Sequence, residues 1–167
     1  RRPVDYGVRE RLLAEFESAP ADAAGVAALL ADPCDGRAKL WVTWRLLQLR
    51  RLAPALMSQG DYRGLAIRGT AQRHAIAFHR ALGERSLVVV CGRLFAGLGG
   101  APRLPLGEAA WGDTQVEFRR ARAAPAYVNV LTGERVAVER GILPLATALS
   151  SFPVAVLVAG PDADALA

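Results

Sequence analysis

His74 and His79 are the only histidines in the chain, and both lie in or beside the stretch HAIAFHR. An imidazole pair can hold a metal or pass a proton, provided that both rings reach one point. Their odd spacing places the two rings on opposite faces of a regular strand, and no cysteine or carboxylate cluster stands beside them. They read as strand histidines that are exposed or hydrogen-bonded. Ser150 and Ser151 lack a neighbouring base, and no G-x-S-x-G is present. CGRLFAGLGGAP has glycines but neither the G-x-G-x-x-G spacing nor a following helix, which argues against a phosphate cradle. Asp61, Asp113 and Glu134 fall in turn-like contexts, where a carboxylate usually serves the backbone. Cys34 and Cys91 have no C-x-x-C partner and are expected to be reduced, mostly buried thiols. No catalytic set, metal site or cofactor site assembles, so the residues by themselves describe an accessory or structural domain.

The elements that position these residues change character along the chain. Asp5 is a suitable N-cap for a helix over about 6–17, with Val8, Leu12 and Phe16 on one stripe. Pro20 breaks that helix, and Ala24 to Leu30 make a second. RAKLWVTWRLLQLRR, about 37–51, carries the longest helical pattern, with Leu40, Trp41, Trp44 and Leu47 on one face and enough further apolar positions to predict cover on most sides. LAPALMSQGDYRGL reads as a break and a turn. After Gly60 the pattern becomes short extended segments: YRGLAIRG, HAIAFHRAL, SLVVVCGRL, TQVEFR, AYVNVLT, ERVAVE and FPVAVLVAG. LTGE reads as a two-residue hairpin turn with Gly133 at positive φ. AGLGGAPRLPLGEAAWG reads as a surface loop. The expected fold class is α+β, with a helical segment over 1–56 and an antiparallel β domain over 57–167.

Composition narrows the function classes. The chain has 167 residues, 52% apolar and 22% charged, enough to bury a sizeable core. No apolar run approaches the ~18 residues of a membrane span, and no leader pattern precedes the first helix. A cytoplasmic protein is expected. The net charge of +5 is spread over arginines interleaved with acids, as in RERLLAEFE and TGERVAVER. Lys39 is the single lysine. Neither a nucleic-acid nor a membrane partner is expected from this pattern.

RRPVDY, DGRAKLWVTWRLLQLRRLAPALMSQGDYRGL, HAIAFHR, PLGEAAWGDT, NVLTGERV and LATALSSFPVAVLV together resemble the C-terminal part of the maltooligosyl trehalose synthases, members of the α-amylase superfamily. The resemblance runs over about residues 1–158 in the family's order, and DGRAKLWVTWRLL and PLGEAAWGDT are its most specific pieces. It implies that 1–56 hold the last helices of a (β/α)₈ barrel region and that the remainder is an antiparallel β-sandwich. The implied activity is an intramolecular transglucosylation that turns the reducing-end α-1,4 linkage of a maltooligosaccharide into an α,α-1,1 linkage, by retaining chemistry with two carboxyl groups about 5–5.5 Å apart. No family catalytic carboxylate falls on a position of this sequence.

The resemblance further implies a fragment, whose partners are the missing catalytic barrel of the same polypeptide and, in the intact enzyme, a maltooligosaccharide. Arg2 and Asp5 lie nearest the missing barrel motif and are the candidate substrate-binding residues. Read locally, Arg2 pairs nearby and Asp5 caps its helix. Tyr62, Trp111 and Tyr127 offer a secondary glucan platform, against the plainer reading that they pack between sheets or against the barrel. A stand-alone α-glucan-binding β module is the alternative function. Helices stripped of a barrel would expose an apolar face, so either self-association through that face or a partly disordered N-terminal segment is expected.

Overall fold

The computed structural model describes residues 3–18, 22–32, 34–98, 104–119, 121–161 and 163–166. Four helices come first. In α1 (Tyr6–Ser18), the Asp5 carboxylate accepts the Val8 N–H at 3.0 Å and caps the first turn. Leu12 and Phe16 of the expected stripe are buried, whereas Val8 is exposed. Asp22 caps α2 (Ala23–Leu30) through the Gly25 N–H at 2.8 Å; Pro20 lies outside the described residues.

In α3 (Arg37–Leu52) the expectation of cover on most sides fails. Trp41 and Leu49 are buried, but Leu46, Leu47 and Leu52 are exposed, Leu47 to 59%. The helix rests on its neighbours along one flank. There the Trp41 indole N–H donates to the Leu131 carbonyl at 3.0 Å, and the Arg45 Nε–H to the Val130 carbonyl at 2.7 Å. The expected break after it is a short helix, α4 (Pro54–Gln59), with Pro54 in the first turn, where a missing N–H costs nothing.

The strands are β1 (Asp61–Gly64), β2 (Ala66–Arg68), β3 (Ala75–Leu82), β4 (Arg85–Gly92), β5 (Gln115–Glu117), β6 (Ala126–Asn129), β7 (Arg135–Ala137), β8 (Ile142–Pro144) and β9 (Val154–Ala159). They form a six-stranded sheet ordered β1-β3-β4-β9-β6-β7 and a three-stranded sheet ordered β2-β5-β8, with every pairing antiparallel. The segment read as one strand, YRGLAIRG, divides at Leu65 and contributes to both sheets. β8 was not apparent in the sequence. Three short helices, α5 (Gly107–Trp111), α6 (Leu145–Ala148) and α7 (Ala163–Leu166), and two 3₁₀ turns, Gln72–His74 and Phe95–Leu98, complete the described elements. The expected surface loop is thereby corrected in part, because α5 turns Trp111 into the interior.

The β6–β7 connection also differs from expectation. Gly133 takes φ +70° as predicted, but the loop is wider than two residues. The Asn129 N–H donates to the Glu134 carbonyl at 2.8 Å and closes the loop 130–133, while the Asn129 side chain accepts the Leu131 N–H at 3.1 Å. An asparagine that folds back on its own loop stabilises the longer form.

Two apolar layers hold the fold together. One lies between the sheets and gathers Ala75, Ala77, Val88, Val90 and Leu157 with Val116 and Leu143 of the small sheet, closed by Trp111, Leu145 and Leu149. The other lies on the opposite face of the large sheet, where Val26, Leu49, Ala53 and Leu56 of the helices meet Leu87, Val128, Val156 and Val158. β4 and β9, covered on both sides, are therefore nearly continuous apolar runs, while β3 keeps a period of two. The architecture is α+β: helices on one face of an antiparallel sheet, a second antiparallel sheet on the other.

Candidate functional site

Of the two candidate substrate-binding residues, Arg2 lies outside the described residues. Asp5 is engaged with its own helix and lines a groove of about 470 Å³ between α1 and the start of α3, together with Arg9, Asp35, Lys39 and Thr43. Val8, Leu12 and Leu40 line the same groove, so its wall is mixed, with charged groups beside apolar ones. Asp5 supplies one cap bond, and Asp35 likewise gives a carboxylate oxygen to the Arg37 N–H at 2.7 Å.

The histidines do not share a strand. His74 sits in a 3₁₀ turn (Gln72–His74), with Nδ1 3.1 Å from the Leu94 carbonyl. His79 points inward from β3, 2% exposed, with Nε2 2.8 Å from Ser86 Oγ. Burial pushes its pKa below the ordinary imidazole value, partly offset by Asp61. Cys34 is exposed, contrary to expectation, because it lies in the turn between α2 and α3; Cys91 is half-buried, and desolvation pushes its thiol up.

Of the three carboxylates read as backbone partners, Asp61 and Asp113 accept backbone N–H groups, whereas the Glu134 carboxylate binds side-chain hydroxyls instead. Asp61 accepts the Arg63 guanidinium at 3.0 Å and the Ala81 N–H at 2.9 Å, in that order of effect, and both hold its pKa down. Asp113 is held down by the Thr70 N–H at 2.9 Å. Both shifts run opposite to what a general acid requires. Glu134 accepts the Ser151 and Thr132 hydroxyls at 2.5 and 2.9 Å. Among the described residues, no three His, Cys, Asp or Glu side chains gather where a metal ion could sit, and no helix is long and apolar enough to cross a membrane.

The residues of WGDT explain their own spacing. Trp111 fills the inter-sheet core and donates its indole N–H to the Pro105 carbonyl at 2.9 Å. Asp113 and Thr114 accept the Thr70 and Ala71 N–H groups, the latter at 3.0 Å. Gly69, at φ +110°, lies against them so closely that a Cβ would stand 2.6 Å from Thr114 Cα. This is a stitch between the turn before β3 and the strand β5, and its side chains are committed to it.

Of the three candidate platform aromatics, Trp111 and Tyr127 are buried, so neither can stack on a sugar. Tyr62 is 66% exposed and tilts against Phe78 with ring centroids 5.1 Å apart. These rings belong to a larger feature that sequence reasoning missed. The helices cover the outer face of the large sheet over β4, β9, β6 and the end of β3 but leave β1 and the Ile76–Phe78 part of β3 bare. Tyr62 and Ile76 are exposed there, Ile76 to 50%, Phe78, Val89 and Cys91 are half-buried, and Gly64 has no heavy atom near its Cβ position. Arg80 marks the boundary: its guanidinium donates to the Met57 and Gly60 carbonyls at 2.6 and 2.8 Å and holds the end of α4 against the sheet. The signal was present in AIAFHRAL, whose outward positions are isoleucine and phenylalanine rather than polar residues.

Chemically, this bare half-face offers apolar area and two tilted rings, with charged groups at its margin. It can bury another apolar surface, and its one thiol, Cys91, is half-buried with its pKa pushed up by desolvation. No protein-family model matches the chain, and no curated protein matches it.

Proposed function

We propose that the chain is the C-terminal part of an enzyme of maltooligosyl trehalose synthase type, a cytoplasmic enzyme of α-glucan metabolism, and that it supports the catalytic region without entering the reaction. The observation that carries this reading is the bare half of the large sheet, beside candidate carboxylates, Asp5, Asp61 and Asp113, that are engaged in local hydrogen bonds. On this reading the two sheets are the terminal β-sandwich, and α1 to α4 are the last helices of the barrel region. The rest of the polypeptide lies on Tyr62, Ile76 and Phe78. Nucleophile and acid/base carboxylates come from that missing part, which must also hold the released glucose away from water while it turns round.

The test compares this chain with the longer polypeptide encoded around it. Each is incubated with a maltooligosaccharide, and loss of reducing ends is followed. The longer protein is expected to consume reducing ends and form a terminal trehalose unit, and the 167-residue chain to do neither. Conversion by the chain alone, or none by the longer protein, overturns the proposal.

The exposed Tyr62–Phe78 pair favours a second reading, a free-standing α-glucan-binding module in which a pyranose face stacks on Tyr62. Adding maltooligosaccharide to the chain and following the tyrosine ring resonances separates the two: saturable shifts that disappear in Tyr62→Ala support the module, and unchanged spectra support the supporting domain.

A further inference from the structure

β1 is an edge of the large sheet: it pairs with β3 on one side and, among the described residues, with no strand on the other. Which of its main-chain groups stay free follows from the ladder. Leu65 donates its N–H to the Ala77 carbonyl at 2.9 Å, and the register continues with Arg63 opposite His79 and Asp61 opposite Ala81. In an antiparallel pair, residues that exchange main-chain bonds alternate with residues that do not. Leu65, Arg63 and Asp61 therefore turn their main-chain groups toward β3, and the N–H and C=O of Tyr62 and Gly64 point out from the edge. All four residues of β1 are exposed, Tyr62 to 66%.

An open edge is a template for another strand, and a short edge with charged residues ordinarily wards partners off. Here the charges have a self-complementary order. Tyr62 lies on the outward face beside Phe78, and Asp61 and Arg63 flank it on the inward face, 3.0 Å from each other. A second copy turned half-way round an axis through Tyr62, perpendicular to the sheet, runs antiparallel to the first. It sets Tyr62 opposite Tyr62 of the second copy, Asp61 opposite its Arg63, and Arg63 opposite its Asp61. The paired tyrosines then exchange their free main-chain bonds, with opposite charges meeting on one face and rings on the other. Sliding the axis to a neighbouring residue sets Arg63 against Arg63 or Asp61 against Asp61, and like charges directly opposite destabilise a ladder. β7, at the far edge of the same sheet, has no such symmetry, because its Arg135 is held by Asp164 of α7 at 2.6 Å.

We propose that β1 is a homotypic pairing edge, through which two copies of this chain join their large sheets into one continuous antiparallel sheet centred on Tyr62. The join consists of the exchanged Tyr62 bonds, the Asp61–Arg63 pairs and a ring contact. So small an interface forms weakly and in a concentration-dependent way. It leaves Ile76 and Phe78 facing outward and does not rest on the enzymatic reading above.

The experiment uses the whole ¹⁵N-labelled chain over a series of concentrations, with sedimentation equilibrium giving the fraction paired and solvent exchange followed amide by amide. The Tyr62 N–H is open in one copy alone and covered in the pair, so its exchange should slow about twofold where half of the chains are paired. Arg63→Glu and Asp61→Arg each put like charges opposite one another, and each alone should abolish the slowing. Mixed in equal amounts the two variants are complementary across the edge, and pairing should return. Asp61→Arg also gives up the bond from the Ala81 N–H. Should it fold poorly, Tyr62→Pro removes the outward donor without touching the ladder to β3, and it should lower the paired fraction as far as Arg63→Glu does. Association with unchanged Tyr62 exchange, the result that contact through the bare face of β3 would give, overturns the proposal, as does a chain that stays monomeric. A folded mixture that pairs no better than either variant alone overturns it too, as does a Tyr62→Pro chain that pairs like the wild type.

Discussion

The indole N–H of Trp41 donates to the carbonyl of Leu131 at 3.0 Å, so the third helix is fastened to the loop between β6 and β7 by a buried bond. Phe16 meets the same indole edge-on at 5.2 Å, which draws the first helix into the arrangement. Trp41→Phe keeps most of the apolar volume and leaves the Leu131 carbonyl unpaired. We expect a loss of about 1–3 kcal/mol in urea unfolding, whereas Trp44→Phe, at a half-buried position, should cost less.

Thr114 carries a second bond of this kind. Its hydroxyl accepts the Ala71 N–H in the interior, so Thr114→Ala strands a buried donor and is expected to cost about 1–3 kcal/mol. Thr114→Ser retains the acceptor and should recover most of the loss. Equal destabilisation by both substitutions in the same unfolding series would show that the methyl group, not the bond, matters.

The bare half-face should make the isolated chain associate with itself. Sedimentation velocity at rising concentration is expected to show a weight-average mass above that of one chain, and Ile76→Asp or Phe78→Asp should return it toward the monomer. Both positions lie on the outward face of β3, so the circular dichroism of the variants should stay native. A wild-type chain that remains monomeric throughout contradicts this expectation.

Acid should weaken the fold in two windows. His79 has its pKa lowered on folding from the ordinary 6.5, so the unfolded chain binds the proton more readily. Its contribution is complete above the unfolded value and declines as pH falls below it. Asp61 and Asp113 are lowered from 3.8, so their contributions hold above that value and are lost as pH falls through the folded pKa values. Denaturation midpoints measured against pH should show both declines. His79→Gln should remove the upper one, and Asp113→Asn should soften the lower.

Cysteine chemistry should separate the two thiols. Cys34 is exposed and Cys91 half-buried with its thiol pushed up, so iodoacetamide in the folded state should label Cys34 first. Peptide mapping over time checks the order, and equal labelling rates would place Cys91 in a more open setting than its strand allows.

Much of this arrangement was legible in the sequence, and the exceptions share physical causes. Periodicity exposed α1 to α3 and the long strands, because each repeats its pattern over several residues. It could not reveal α5 or β8, which are too short to show a period, and it misread Pro54 as a break because proline both ends one helix and begins the next. The pattern of α3 alone did not show which of its leucines would be exposed, since an apolar residue does not announce whether a partner is present. The backbone-serving roles of Asp5, Asp61 and Asp113 were readable from local context, whereas the bond from Ser151 to Glu134 joins residues far apart in sequence. The bonds from His79 through Ser86 to Tyr127 were not readable either, since they join residues from three strands whose proximity only the sheet order creates.

That order also bears on how the chain is made. β9, the last strand in sequence, lies between β4 and β6 in the middle of the large sheet. During synthesis, β4 and β6 therefore wait with open edges until Val154–Ala159 has left the ribosome. The large sheet cannot be completed before that strand is available, which leaves an interval of vulnerability to chaperones, proteases and misassociation.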